Sequence, residues 1–220
     1  MRSLIWVLAV ALSVSVTGAI GQGKTAKKPN PVLMNPSGLK EKAPSTFKAQ
    51  FKTTKGTFVV EVKRAWSPAG ADRFYNLVKS GFFDDVKFFR VVPRFVVQFG
   101  MHGNPQVAAK WREANIPDEP VVTGNKRGFL TYAKAGPNTR STQFFINLGD
   151  NSGSLDPQGF PAFGHVVSGM EVVDKLYSGY GDGPPMGSGP DQGMIAAQGN
   201  AYLNKDYPKL DAIITATIVK

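Results

Sequence analysis

With 220 residues, 42% of them hydrophobic and 19% charged, the chain has the material for one packed domain with appendages rather than for a disordered polypeptide. The absence of cysteine excludes disulfides, cysteine-ligated zinc, iron–sulfur clusters and a thiol nucleophile, and two histidines, His102 and His165, leave little for a histidine-rich metal centre. The net charge is +10, half of it within residues 1–46, and what remains for the rest of the chain is too modest to indicate a nucleic-acid partner.

The chain opens with Met1-Arg2, then an apolar run from Leu4 to Val16, then Thr17-Gly18-Ala19 with small residues at the −3 and −1 positions. That order reads as a secretory signal peptide over residues 1–19, cut after Ala19. The alternative is an uncleaved anchor, but a bilayer span needs about 20 apolar residues, and Ser13, Ser15 and Thr17 dilute this one. The reading therefore places the protein outside the cytoplasm, periplasmic or secreted, with no stable membrane insertion after cleavage. Residues 20–46 carry Pro29, Pro31, Pro36 and Pro44 among lysines and show no apolar period. They read as a flexible, solvated tether.

Residues 47–220 carry the pattern of a folded domain. Phe47–Thr53 and Thr57–Lys63 are β-rich runs joined through Thr54-Lys55-Gly56, a hairpin signal. Ser67-Pro68 supplies an N-cap and an N1 proline. Behind it Ala71, Phe74, Leu77 and Val78 recur at helical spacing as far as Gly81. Further strands are predicted over Phe88–Val92, Phe95–Met101, Gly128–Ala133, Gln143–Leu148, Ala162–Val167 and Ala212–Val219, with a second helix over Met170–Tyr177. Eight strands and two helices, beginning and ending in β, give a mainly β fold: a closed eight-stranded antiparallel barrel capped by two helices. Residues 178–193 hold six glycines and three prolines and form a long loop, of the kind that is functional or flexible. Its Gly187-Ser-Gly189 lacks the strand, lysine and helix that a phosphate loop requires.

The polar residues set inside apolar runs are the candidates for chemistry. Arg90 and Gln98 interrupt Phe88–Gly100, and Gln143 stands beside Phe144, Phe145 and Ile146. Strand alternation puts Gln143 and Phe145 on one face, as in the wall of a wet apolar groove. Internal satisfaction of these polar groups is the competing reading. A hydrolase would need His102 or His165 beside a serine and a carboxylate, and no nucleophile-elbow motif occurs.

Three blocks carry a resemblance: Phe89-Arg-Val-Val-Pro-Arg-Phe-Val-Val-Gln98, Tyr132-Ala-Lys-Ala-Gly-Pro-Asn-Thr-Arg-Ser-Thr-Gln-Phe-Phe-Ile146 and Phe163-Gly-His-Val-Val-Ser-Gly-Met170. Over about residues 48–219 the sequence resembles the cyclophilin family of peptidyl-prolyl isomerases. The resemblance implies a barrel with a proline-binding groove on its outer face, proline-containing polypeptides as substrates, no cofactor or metal, and a monomer. It implies Arg90 as the catalytic arginine. Phe95, Val96, Phe145 and Leu155 become the proline pocket, with Phe160 standing where the family often has a histidine. Gln98 and Gln143 become the contacts to the peptide backbone, and Ala133, Lys134 and Ala135 the rim for the residues before proline. One point conflicts with simple alternation: Phe95 and Gln98 are three apart and belong on opposite faces of a regular strand. Ser154 stands where the family frequently has tryptophan, which implies weak cyclosporin binding with catalysis retained. A scaffold that captures proline segments with little turnover is the alternative function.

Overall fold

A computed structural model describes residues 30–220; the expected signal peptide and the first part of the tether lie outside the described residues. The eight predicted strands are all present: β1 Thr46–Thr53, β2 Gly56–Lys63, β3 Arg90–Val92, β4 Val96–Phe99, β5 Phe129–Tyr132, β6 Phe144–Asn147, β7 Ala162–Ser168 and β8 Ile213–Val219. They form one antiparallel sheet in the order β3-β4-β6-β5-β7-β2-β1-β8. The sheet curls into a half-barrel but its ladder does not close. β3 and β8 remain edges, and the segments just before them meet at a single bridge, Lys87 with Ala212. The expected closed barrel is corrected to this open one. β3 has only three residues and pairs on one edge with β4, and it is the segment before it, residues 85–88, that bonds residues 211–213, so no β3–β8 ladder forms.

Phenylalanines fill the concave side. Phe51, Phe74, Phe83, Phe99, Phe144 and Phe163 are all fully buried, with Phe74 at 5.3 Å from both Phe144 and Phe163. Each buried ring contributes about 1.5–3 kcal/mol. Strand alternation supplies them: Val97 and Phe99 of β4 and Phe144 and Ile146 of β6 point into this core, while Val96 and Phe145 point the other way, into a separate apolar cluster.

The helix α1, Pro68–Lys79, lays Phe74, Leu77 and Val78 on the core. Its end follows the sequence: Gly81 at φ +73° lets Phe82 N–H reach Leu77 O and Gly81 N–H reach Val78 O, a Schellman closure. Its start does not. Ser67 makes no cap bond to the helix but donates its hydroxyl to Glu119, and it is the Glu119 carboxylate that accepts from Ala69 N (2.7 Å) and Gly70 N (3.3 Å). A carboxylate at a helix start also complements the helix dipole. The second predicted helix is shorter than expected, α4 Met170–Asp174, with Val173 and Leu176 buried.

Four further helices were not anticipated: α2 Pro105–Arg112, α3 Ser152–Leu155, α5 Gln192–Gln198 and α6 Asn200–Asp206. The tether reading also fails for residues 30–46. These make two short 3-10 turns, bury Leu33 and Ala43, and are tied down by Trp111 Nε1–H to Leu33 O (2.8 Å), Asn76 Nδ2–H to Glu41 O (2.6 Å) and Ala43 N–H to Asp72 Oδ1 (2.8 Å). The arm docks through isolated side chains and backbone groups, which leave no periodic trace in sequence.

Candidate functional site

The site lies on the convex side of β3, β4 and β6. Arg90 and Gln98 are direct cross-strand partners, and Gln98 faces Phe145 on the next strand. A polar row results. Arg90 Nη1–H donates to Gln98 Oε1 (3.1 Å), and Gln98 Nε2–H donates to Gln143 Oε1 (2.8 Å). Beside it Val96, Phe145 and Leu155 form a buried apolar cluster, with Phe95, Ala133 and Phe160 packed partly exposed around it. The Phe145 and Phe160 rings meet edge to face at 6.0 Å. The Phe95 ring lies under the guanidinium of Arg90 at 5.5 Å.

The conflict over Phe95 is resolved by the turn before β4. Arg94 has a left-handed φ of +65°, Phe95 N–H closes onto Val92 O (3.0 Å), and the strand begins only at Val96. Phe95 thus escapes alternation and joins Val96 and Gln98 on the site face.

The rim is built as a turn. Ala133 N–H bonds Gln143 O (3.0 Å), and Ala135 N–H is held by Thr139 Oγ1 (3.0 Å). Lys134 is engaged within the protein, 3.3 Å from Asp118 Oδ2 and 5.4 Å over the Phe160 ring. Ser154 is exposed on α3, one residue before the buried Leu155. All eleven site residues expected from the sequence fall on this one face or its edge.

Two features were not foreseen. The first is Asp182, from the Gly/Pro-rich loop. Its carboxylate clasps Arg90 by Nε–H to Oδ1 (2.6 Å) and Nη2–H to Oδ2 (2.9 Å). The bond from Arg90 holds the Asp182 carboxyl below the usual carboxylate range. A cleft of about 200 Å³ opens between them and the loop, lined by Phe89, Pro184, Met186 and Asp191 among others. The second is Arg140, fully buried behind the rim, where it bonds Ser67 and Glu119. Neither carboxylate could be matched to its arginine from sequence, since the partners are far apart in the chain. The asparagine–proline start of α2, with Val107 and Trp111 four apart, was the one overlooked helix signal of ordinary strength.

Neither histidine is arranged for hydrolysis. His102 accepts Asn104 N–H on Nδ1 (2.9 Å), and burial lowers its pKa. His165 stacks on Phe129 at 5.5 Å with Trp66 at 6.0 Å. Among the described residues no group of three or more His, Asp or Glu side chains is placed to hold a metal ion.

One arginine and two amides thus stand in a row beside an aromatic pocket, on the outside of a curled β-sheet. The profile of the family described as cyclophilin type peptidyl-prolyl cis-trans isomerase/CLD matches residues 48–192, and the chain belongs to this family. A peptidyl-prolyl cis-trans isomerase of Arabidopsis thaliana is 38% identical over 132 residues, 58% of this chain and 78% of the relative. One of Acinetobacter baylyi is 34% identical over 132 residues, 58% of this chain and 70% of the relative. A cyclophilin-type isomerase of Cryptosporidium parvum has the same fold, with a TM-score of 0.57 at 20% identity, covering 80% of this chain and 98% of its own. The protein is a peptidyl-prolyl cis-trans isomerase.

Proposed function

We propose that the Arg90 groove is where the X–Pro bond turns. The observation that carries this is the adjacency of a fixed guanidinium, a two-glutamine row and an apolar pocket. Rotation about X–Pro is opposed by amide resonance, a barrier of about 18–20 kcal/mol. No bond breaks, so no nucleophile, metal or acid–base pair is required. Phe95, Val96, Phe145, Leu155 and Phe160 hold the proline ring, while Gln98, Gln143 and the Ala133–Ala135 rim hold the flanking backbone. As the amide twists, its nitrogen pyramidalises and exposes a lone pair. Arg90 donates to that nitrogen and stabilises the twisted state over both planar ones. Arginine suits the task because it keeps its charge in a partly apolar groove.

The Cryptosporidium parvum isomerase has also been crystallised in the presence of the dipeptide Ala-Pro, at 21% identity and a TM-score of 0.57, and a proline-containing segment is the ligand this groove would take. The charged start, the Leu4–Val16 run and the small residues up to Ala19 support export to a periplasmic or extracellular space, where the protein would assist folding. The deciding experiment measures cis–trans exchange in a proline tetrapeptide with the protein and with Arg90→Ala. Intact-mass measurement of the natural product, expected to start near Ile20, tests export.

A further inference from the structure

We propose that Asp182 is a positioning residue for the isomerase reaction, delivered by the Gly/Pro-rich loop to aim the Arg90 guanidinium. The inference rests on the assignment of Arg90 as the catalytic donor. A guanidinium has five N–H groups in a fixed plane. Asp182 takes one on Nε and one on Nη2, Gln98 takes one on Nη1, and the Phe95 ring supports the face. The plane is thus fixed before substrate arrives, with one N–H on Nη1 and one on Nη2 left over. Donors held in place need no reorganisation at the moment of reaction, whereas a free arginine must give up rotamer freedom to act.

The loop is constructed around this aspartate. Gly183 N–H bonds Asp182 Oδ1 (2.8 Å), and Gly189 N–H bonds Asp182 O (2.7 Å). A Cβ at position 187 would lie 2.4 Å from Asp182 O, and one at 189 would lie 2.8 Å from it. The Gly187-Ser-Gly189 sequence therefore permits the chain to fold over the Asp182 backbone. Behind the loop, Phe89, Ile195, Tyr202, Leu203 and Leu210 form a second small core. Asp191 N–H donates to Tyr202 Oη (3.2 Å) and Tyr207 Oη–H to Gly189 O (3.3 Å). Phe89 is the chain neighbour of Arg90, so one apolar cluster braces both ends of the ion pair.

The test compares kcat and KM for a proline tetrapeptide in the native protein, Asp182→Ala, Asp182→Asn, Arg90→Ala and the double variant Arg90→Ala/Asp182→Ala. Thermal unfolding confirms that each is folded. Losing both orienting bonds to the guanidinium in Asp182→Ala should lower kcat by about tenfold or more, with KM nearly unchanged because the aimed donor acts in the twisted state. Asp182→Asn, which keeps one acceptor, should fall between. In the Arg90→Ala background, removing Asp182 should cost nothing further, since its only effect passes through that arginine. Undiminished or increased kcat in Asp182→Ala overturns the proposal, the increase meaning that the carboxylate quenches the guanidinium. A further loss in the double variant also overturns it, since Asp182 would then act by another route. Native activity in folded Arg90→Ala would instead remove the catalytic assignment on which it stands. Gly187→Ala, which displaces the aspartate without deleting it, should reproduce the kcat loss.

Discussion

Arg140 and Arg90 are each clasped by a carboxylate, yet one is sealed inside the protein and the other is left at its surface. The Arg140 side chain is 0% exposed and Arg90 is 22% exposed. Arg140 spends its guanidinium on Ser67 Oγ (3.1 Å), Glu119 Oε2 (2.9 Å) and Pro117 O, and Tyr132 covers it at 5.5 Å. It joins the start of α1, the segment after α2 and the rim turn into one knot. Arg90 keeps donors in reserve and faces a cleft. The same pair of charges locks a fold where water is excluded and, in the function proposed for Arg90, aims a donor where a substrate can enter.

The largest test of this contrast is Arg140→Met. It leaves the partly buried Glu119 without its cation and should cost about 3 kcal/mol of stability, the lower end for a broken buried pair, read by urea unfolding, while the folded fraction retains its turnover. Arg90→Ala should do the reverse. Its kcat/KM should fall by about a hundredfold or more, as for other electrostatic donors worth about 2.7–4 kcal/mol, with Arg90→Lys a poor rescue. Its unfolding midpoint should barely move, because part-exposed ion pairs contribute about 0–1 kcal/mol. Folded Arg90→Ala with normal turnover would erase the distinction.

Acid sharpens the comparison from the carboxylate side. Burial by itself would raise the Glu119 pKa, but bonds from Ser67, Ala69 and Arg140 outweigh it and hold the carboxyl below its usual range. A carboxyl depressed in the folded state adds stability above its unfolded pKa of about 4.3, and that stability is lost as pH falls through the folded value. Unfolding free energy measured from pH 7 down to pH 3 should therefore decline, and Glu119→Gln should flatten the decline. Equal slopes in the two proteins would count against the Glu119 account. The smallest effect concerns the exposed rim. Ser154→Trp should raise cyclosporin affinity by about tenfold, the value of a typical aromatic anchor, with turnover unchanged. Nanomolar inhibition of the unaltered protein would sink this expectation.

The strands were legible because each has one face in a phenylalanine core, which imposes a period of two on Phe51, Val97, Phe99, Phe144 and Ile146. Within the site, alternation placed only Gln143 and Phe145 on one face, whereas Phe95, Val96, Leu155 and Phe160 followed from the family resemblance, and Leu155 and Phe160 lie outside the strands, where no period of two applies. The small helices were not: α5 and α6 have seven residues each and are divided at Gly199, too short for a helical period to show. The docking of Leu33 under Trp111 depends on one backbone carbonyl. Ser67 looked like a cap because local chemistry favours it, but the buried Arg140 and the partly buried Glu119 made a stronger claim on its hydroxyl. Asp182 reaches Arg90 across 92 residues of chain, a pairing that only tertiary structure creates.

The strand order also dictates a timetable. β1 pairs on one side with β2, its immediate neighbour in sequence, and on the other with β8, where Gln50 lies opposite Thr217. As the chain emerges from the ribosome or a translocation channel, the first hairpin can form at once, but its outer edge stays unpaired until almost the last residue has appeared. An unpaired strand edge bearing apolar side chains is a template for association with other chains. Folding dominated by such long closures is slow. The chain must therefore pass through an exposed, half-folded stage, and its Phe51 edge is at risk longest.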